Sequence, residues 1–197
     1  MTSKIKHIID NGLLENIEQS KAYALSDSDI RLYLPGVKIL KYSELKNYNN
    51  ITELLPHDKS YAIILYLDSP STGHWVAIMR YKKNNKNYIE FFDSYGLPID
   101  NQKSFVDKKT RQKLNVDRNY MKELMNQALK DGFTVVYNPI KYQNDDFNDI
   151  NTCGRFVIYR ILKMLDGMDG DQFLKHMKTL KNKYKINSDT IVTSIIR

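Results

Sequence analysis

The sequence contains one cysteine, Cys153, and four histidines, His7, His57, His74 and His176. Cys153 stands in Asn151-Thr152-Cys153-Gly154, at the head of a segment, Thr152 to Leu165, that is apolar nearly all round (Phe156, Val157, Ile158, Tyr159, Ile161, Leu162, Met164, Leu165). Such a segment is a buried helix. A helix N-terminus carries partial positive charge and N–H groups without intrahelical partners, and both favour a thiolate. Gly154 lets a substrate backbone approach closely. A lone cysteine can also be a small buried hydrophobe, but that role suits the middle of the helix better than its head. The chemistry that this position suits is attack by sulfur on an acyl carbon.

A sulfur nucleophile needs a base, and the base needs an orienting group. His7 and His176 fall on helices that read as mostly solvated, and His57 follows Pro56 in a loop. His74 opens a strand in Ser71-Thr72-Gly73-His74-Trp75-Val76. A second strand, Tyr88 to Asp93, follows the polar tip Lys83-Asn84-Asn85-Lys86. Asn tolerates positive φ, so a two-residue turn at Asn84-Asn85 is expected, pairing Lys83 with Lys86. Counting back, Val76 lies opposite Asp93, and His74 and Asp93 share one face as diagonal neighbours. A one-residue slip would put them on opposite faces. Asp93 is expected to accept the Nδ1–H of His74. An oxyanion formed at the acyl carbon needs donors; Gln143 and the backbone N–H of Cys153 are candidates, with Gln127 and Gln112 as rivals to Gln143.

Taken in order, Gly73-His74-Trp75, Phe91-Phe92-Asp93-Ser94-Tyr95-Gly96, Gln143 and Cys153-Gly154 resemble adenain and the wider clan (clan CE) that holds the SUMO and NEDD8 proteases. The similarity spans about residues 25–165, and Leu25-Ser26-Asp27-Ser28-Asp29-Ile30 is similar to the start of many clan domains. The resemblance implies an α+β, circularly shifted papain-like fold, with a central mixed sheet and the Cys-bearing helix packed on it. It implies catalysis by His74, Asp93, Gln143 and Cys153, with Trp75 and Gly154 at the substrate. Small size and Lys/Asn/Ile bias fit the maturation proteases of virophages and related DNA viruses, which implies cleavage of capsid precursors, usually after Gly. Two features depart from the pattern. The Gln143–Cys153 spacing is longer than usual, through an acidic insert, Asn144-Asp145-Asp146-Phe147-Asn148-Asp149. The second cysteine that anchors adenain's disulfide-linked peptide cofactor is missing, so no such cofactor is expected.

The remaining sequence must position these residues. The chain has 197 residues and 42% apolar content, enough to bury a sizeable core. One domain is expected: a helical extension at about 1–24, a catalytic core at about 25–167 and closing helices at 168–197. Helices are expected over 3–20 and 28–34, with short turns capped by Ser43 and Thr52. A continuous apolar strand is expected over 60–67, typical of a strand covered on both faces. Residues 94–116 read as irregular, followed by a helix from an Asp117 cap to Lys130, strands over 134–137 and 140–143, and helices near 169–180 and 188–196.

No apolar stretch approaches the roughly 18 residues of a membrane span, and the N-terminus lacks the apolar core of a signal peptide. The expected location is the virion or the cytoplasm of the host cell, with no cofactor or metal required. The net charge of +7 would attract polyanions, so non-specific DNA is an expected partner. Candidate contacts are Lys82, Lys83, Lys86, Lys103, Lys108, Lys109, Arg111, Lys113, Lys178, Lys181 and Lys183; the same charge is also ordinary solvated lysine. The alternatives are an isopeptidase for ubiquitin-like proteins, an acetyltransferase using the same Cys153, and a non-enzymatic DNA-packaging protein.

Overall fold

A computed structural model describes residues 14–67, 69, 73–144 and 150–197. The start of the expected first helix and most of the acidic insert, residues 145–149, lie outside the described residues. The chain forms two compact units, one of Gly36–Ile140 and one of Lys141–Arg197 with Pro35 and the residues before it.

The Gly36–Ile140 unit is built on a five-stranded sheet in the order β1 (Lys38–Lys41), β2 (Tyr61–Leu67), β3 (Gly73–Lys83), β4 (Lys86–Phe92) and β5 (Thr134–Tyr137). The two edge pairs are parallel and the two central pairs antiparallel, so the sheet is mixed. The central strands are buried on both faces: Ala62, Ile63 and Ile64 of β2 and Val76 to Met79 of β3 have no exposed surface. That explains why β2 reads as a continuous apolar stretch rather than an alternating one. A helix, Tyr120–Lys130, packs beside β5 with Met121, Leu124, Met125 and Ala128 inward, a 3.6-residue stripe.

Several local expectations shift here. The cap of that helix is Asn119 rather than Asp117; Asp117 instead pairs with Arg111. Asn50, not Thr52, caps the turn Ile51–Leu54, and Lys41 rather than Ser43 precedes the 3-10 turn Tyr42–Asn47. The stretch expected to be irregular holds a 3-10 turn, Asn101–Phe105, and a short helix, Lys108–Lys113, capped by the Asp107 carboxylate. The turn is fixed by Asp100, whose φ is +68°. Its carboxylate accepts from Tyr42 Oη at 2.7 Å, Tyr66 Oη at 3.0 Å and the Lys122 N–H at 3.0 Å.

The other unit is helical: α1 (Leu14–Lys21), α2 (Asp27–Tyr33), α3 (Cys153–Leu165), α4 (Gly170–Tyr184) and α5 (Ser188–Ile195). Residues 140–143 form no strand. A capping box between Ser26 and Asp29 starts α2. Helix α3 is buried nearly throughout, as its composition requires, and each of its fully buried large apolar side chains contributes about 1.5–3 kcal/mol by leaving water. Two of its buried residues are arginines, which the apolar reading passed over. Arg155 donates from Nε to the Ile196 carbonyl at 3.1 Å and from Nη1 to the Tyr23 carbonyl at 2.7 Å. Arg160 donates to the Met168 carbonyl at 3.1 Å and lies over the Phe173 ring. Among the described residues no helix is long and apolar enough to cross a membrane.

Candidate active site

The β3–β4 hairpin has the register that its turn residues require. Asn84 and Asn85 take φ of 49° and 60°, Lys83 pairs with Lys86, and the ladder runs to Ala77 opposite Phe92. That places His74 and Asp93, one residue beyond β4, on the same face. His74 Nε2 donates to Asp93 Oδ1 at 3.2 Å. The expected contact through Nδ1 is therefore corrected: Nε2 faces the carboxylate, and Nδ1 is the nitrogen turned away from it. Gly73 precedes the histidine because β2 passes too close for a side chain; a Cβ there would collide with the Tyr66 carbonyl.

Asp93 is fully buried, and its carboxylate is held on both oxygens. Oδ1 also accepts the Tyr95 N–H at 2.6 Å, while Oδ2 accepts from Gln102 Nε2. Its backbone is clamped by Asn138, which accepts the Asp93 N–H at 2.8 Å and donates to its carbonyl at 2.7 Å. The turn Asp93–Gly96 closes with a 3.0 Å bond, and Gly96 takes φ of +70°. This turn brings the Tyr95 ring onto the imidazole, with centroids 4.8 Å apart and planes 24° from parallel. The Asp93 hydrogen bond and the stacked Tyr95 ring both orient His74, which has 11% of its side chain exposed. Trp75, next along β3, is buried.

Cys153 is the first residue of α3, is in no disulfide, and is 9% exposed. Thr152 is the N-cap by position but makes no capping bond. Its hydroxyl donates instead to Asp189 Oδ1 at 2.6 Å. The usual side-chain oxygen is therefore not laid over the first-turn N–H groups. Those groups and the helix dipole favour negative charge at Cys153. Burial lowers the Arg155 pKa, and the neighbouring Tyr33, Cys153, Asp29 and Tyr23 side chains oppose the fall. Gly154 is buried directly behind the cysteine.

Gln143 is buried in the same unit, and its Nε2 donates to the Ile150 carbonyl at 3.0 Å, which fixes the plane of the amide. Asp189 holds both Asn144 and Thr152, taking the Asn144 N–H at 3.2 Å as well as the Thr152 hydroxyl. Burial raises the Asp189 pKa, and these two donors oppose the rise. The rivals to Gln143 lie on helices of the Gly36–Ile140 unit: Gln127 donates to Asp131, and Gln112 is exposed.

The structure thus brings His74 to Asp93 in one unit and places Gln143 and Cys153 in the other. Sequence reasoning missed Gln102, Asn138, Asp100 and Asp189. None lies in a recognisable motif, and each acts on a partner far along the chain or in a segment without periodicity. His176, expected on a solvated face, is half-buried and bonded to Tyr159 Oη at 2.6 Å. Lys103 and Arg111 are not open cations. Lys103 Nζ donates to the Arg118 carbonyl at 3.0 Å and to Asn119 Oδ1, and Arg111 donates to the Val106 carbonyl at 2.7 Å.

No family model matches the chain. It is 31% identical over 184 residues to a protein of the Sputnik virophage described as "Uncharacterized protein V9", across 92% of this chain and 99% of that one. The chain belongs to the family of that virophage protein. Among solved structures it is similar to the ASFV pS273R protease, with a TM-score of 0.50 and 14% identity over 89% of this chain and 68% of that one. The selenomethionine form of the same protease gives a TM-score of 0.46 at 16% identity, over 89% and 69% of the two chains. The fold is α+β, that of the papain-like cysteine proteases of clan CE.

Proposed function

We propose that this protein is a cysteine endopeptidase that cleaves viral precursor proteins, with capsid precursors as substrates and glycine before the scissile bond. The observation that carries the reading is the buried Asp93 carboxylate holding His74 Nε2, in a chain whose single cysteine opens a buried helix. In this mechanism the Cys153 proton passes to Nδ1 of His74, giving a thiolate and an imidazolium. The thiolate attacks the scissile carbonyl carbon. The resulting oxyanion is met by the Gln143 amide and the Cys153 N–H. His74 returns the proton to the leaving amine, and a thioester remains. Water, deprotonated by His74, then hydrolyses the thioester and restores the thiol. Trp75 and Gly154 flank the substrate backbone.

Non-specific DNA is a proposed partner through the exposed Lys82, Lys86, Lys108, Lys109, Lys113, Lys178, Lys181 and Lys183, which would hold the enzyme beside packaged substrates in the virion or the virus factory. The deciding experiment sets purified protein against a capsid precursor and against a SUMO conjugate, each with Cys153→Ala as control. Cleavage of the precursor alone supports the proposal. Cleavage of the conjugate alone makes the protein an isopeptidase. Cleavage of neither, with Cys153 no more reactive than a free thiol, overturns the reading in favour of a DNA-packaging role.

A further inference from the structure

We infer that Gln102 is a positioning residue that fixes the carboxylate of Asp93, and through it His74; the kinetic part of this inference rests on the peptidase reading above. Gln102 is 2% exposed, and its Nε2 donates to Asp93 Oδ2. A carboxylate only accepts hydrogen bonds, so the amide atom facing it is the nitrogen. The amide oxygen is then left buried without a hydrogen-bond partner among the described residues. A buried unpartnered carbonyl costs free energy, and a glutamine serving only to fill space would not need to incur it. The side chain is committed to one contact at the expense of its other end.

The placement of Gln102 is itself secured. It lies in the 3-10 turn that follows Asp100, whose carboxylate is held by two tyrosine hydroxyls and a backbone N–H. A rigid turn therefore presents the donor. Without it, Asp93 keeps only the two contacts on Oδ1, the Tyr95 N–H and His74, about which the carboxyl group can rotate. The orientation of the imidazole would loosen with it.

Two substitutions test this. Gln102→Met keeps length and removes the donor; kcat should fall by up to about a hundredfold, with KM unchanged, because a small misplacement of a catalytic group is expensive. Gln102→Glu supplies a donor only while protonated. Two carboxyl groups sharing one site push one pKa up, so this variant should work near the wild-type rate on the acid side. It should lose kcat as pH rises through the pKa of the pair, a limb absent from the wild type. A merely structural glutamine would not create that limb, and the Glu variant retains a donor of the same length below that pKa if Gln102→Met fails to fold. The proton NMR titration of the His74 ring, in a Cys153→Ala background, needs no turnover. In Gln102→Glu it should become two-step, since a coupled pair then titrates beside the ring. If the wild type cleaves nothing, the peptidase reading fails while this titration still decides the role of Gln102. A pH profile and a His74 titration identical to those of the wild type would overturn the inference.

Discussion

Replacing Asp93 by Ala and by Asn should separate the hydrogen-bonding role of this side chain from its charge. In the wild type the carboxylate takes three N–H groups, from His74, Tyr95 and Gln102, in a site where it has no exposure. Asp93→Ala strands all three donors. At roughly 1–3 kcal/mol for each unsatisfied buried group, with some relief from entering water, the loss is roughly 3 kcal/mol or more. For a chain of this length that lowers Tm by about 6–12 °C. Asp93→Asn is different. Its oxygen can stay on the Oδ1 side and keep His74 and Tyr95, while its NH2 faces Gln102. Gln102 can turn over to present the amide oxygen that has no partner among the described residues of the wild type. One amide group is unpartnered before and after, so the cost is about 1 kcal/mol or less. Calorimetry on both variants checks this. Kinetically, Asp93→Asn should lose less than His74→Ala, for which loss of the base costs about 10²–10⁴ in kcat. If Asp93→Asn lowers Tm as far as Asp93→Ala, carboxylate charge rather than the pattern of acceptors holds the cluster, and the reasoning fails.

Cys153 should alkylate with iodoacetamide faster than a free thiol near pH 6.5, and His74→Ala should slow it toward the free-thiol rate; equal rates in the two proteins would show that His74 does not serve this cysteine. Gln143→Ala should cost about 10²–10³ in kcat with little change in KM, the usual effect of losing one oxyanion donor, and a near-normal kcat would remove Gln143 from the mechanism. His176 should make stability depend on pH. Burial, and then the Lys163 cation, depress its pKa in the fold. Its contribution is therefore complete above the ordinary histidine range and is lost as pH falls through the depressed value. The Tm advantage of wild type over His176→Gln should shrink on acidification, and an advantage that grew would contradict the assignment.

What could be read from the residues in advance was what local periodicity and turn chemistry determine. The hairpin register followed from two asparagines able to take positive φ, and with it the shared face of His74 and Asp93. The buried helix behind Cys153 followed from its composition, though Arg155 and Arg160 did not; they are tolerated because carbonyls from outside the helix meet them. The ring nitrogen facing Asp93 was misread because register sets which face a side chain occupies and not its rotation. The segment after Asp93 carried no period, and its order comes from Asp100, whose partners Tyr42, Tyr66 and Lys122 are scattered along the sequence.

The same distinction separates Cys153 from what supports it. A threonine before a helix normally caps it with its own oxygen, and from sequence Thr152 would be assigned that role. In the fold its hydroxyl is drawn off by Asp189, 37 residues away. That long-range bond has a local consequence, because it keeps the capping oxygen off the helix end at which Cys153 stands. Asp189 also takes the Asn144 N–H next to Gln143, so one buried carboxylate holds the residue after Gln143 and the residue before Cys153. The closing helix that carries Asp189 is fully buried, and its apolar residues announce a helix without announcing this task. Its contribution is therefore geometric: through Asn144 and Thr152 it holds the neighbours of Gln143 and Cys153 to one carboxylate.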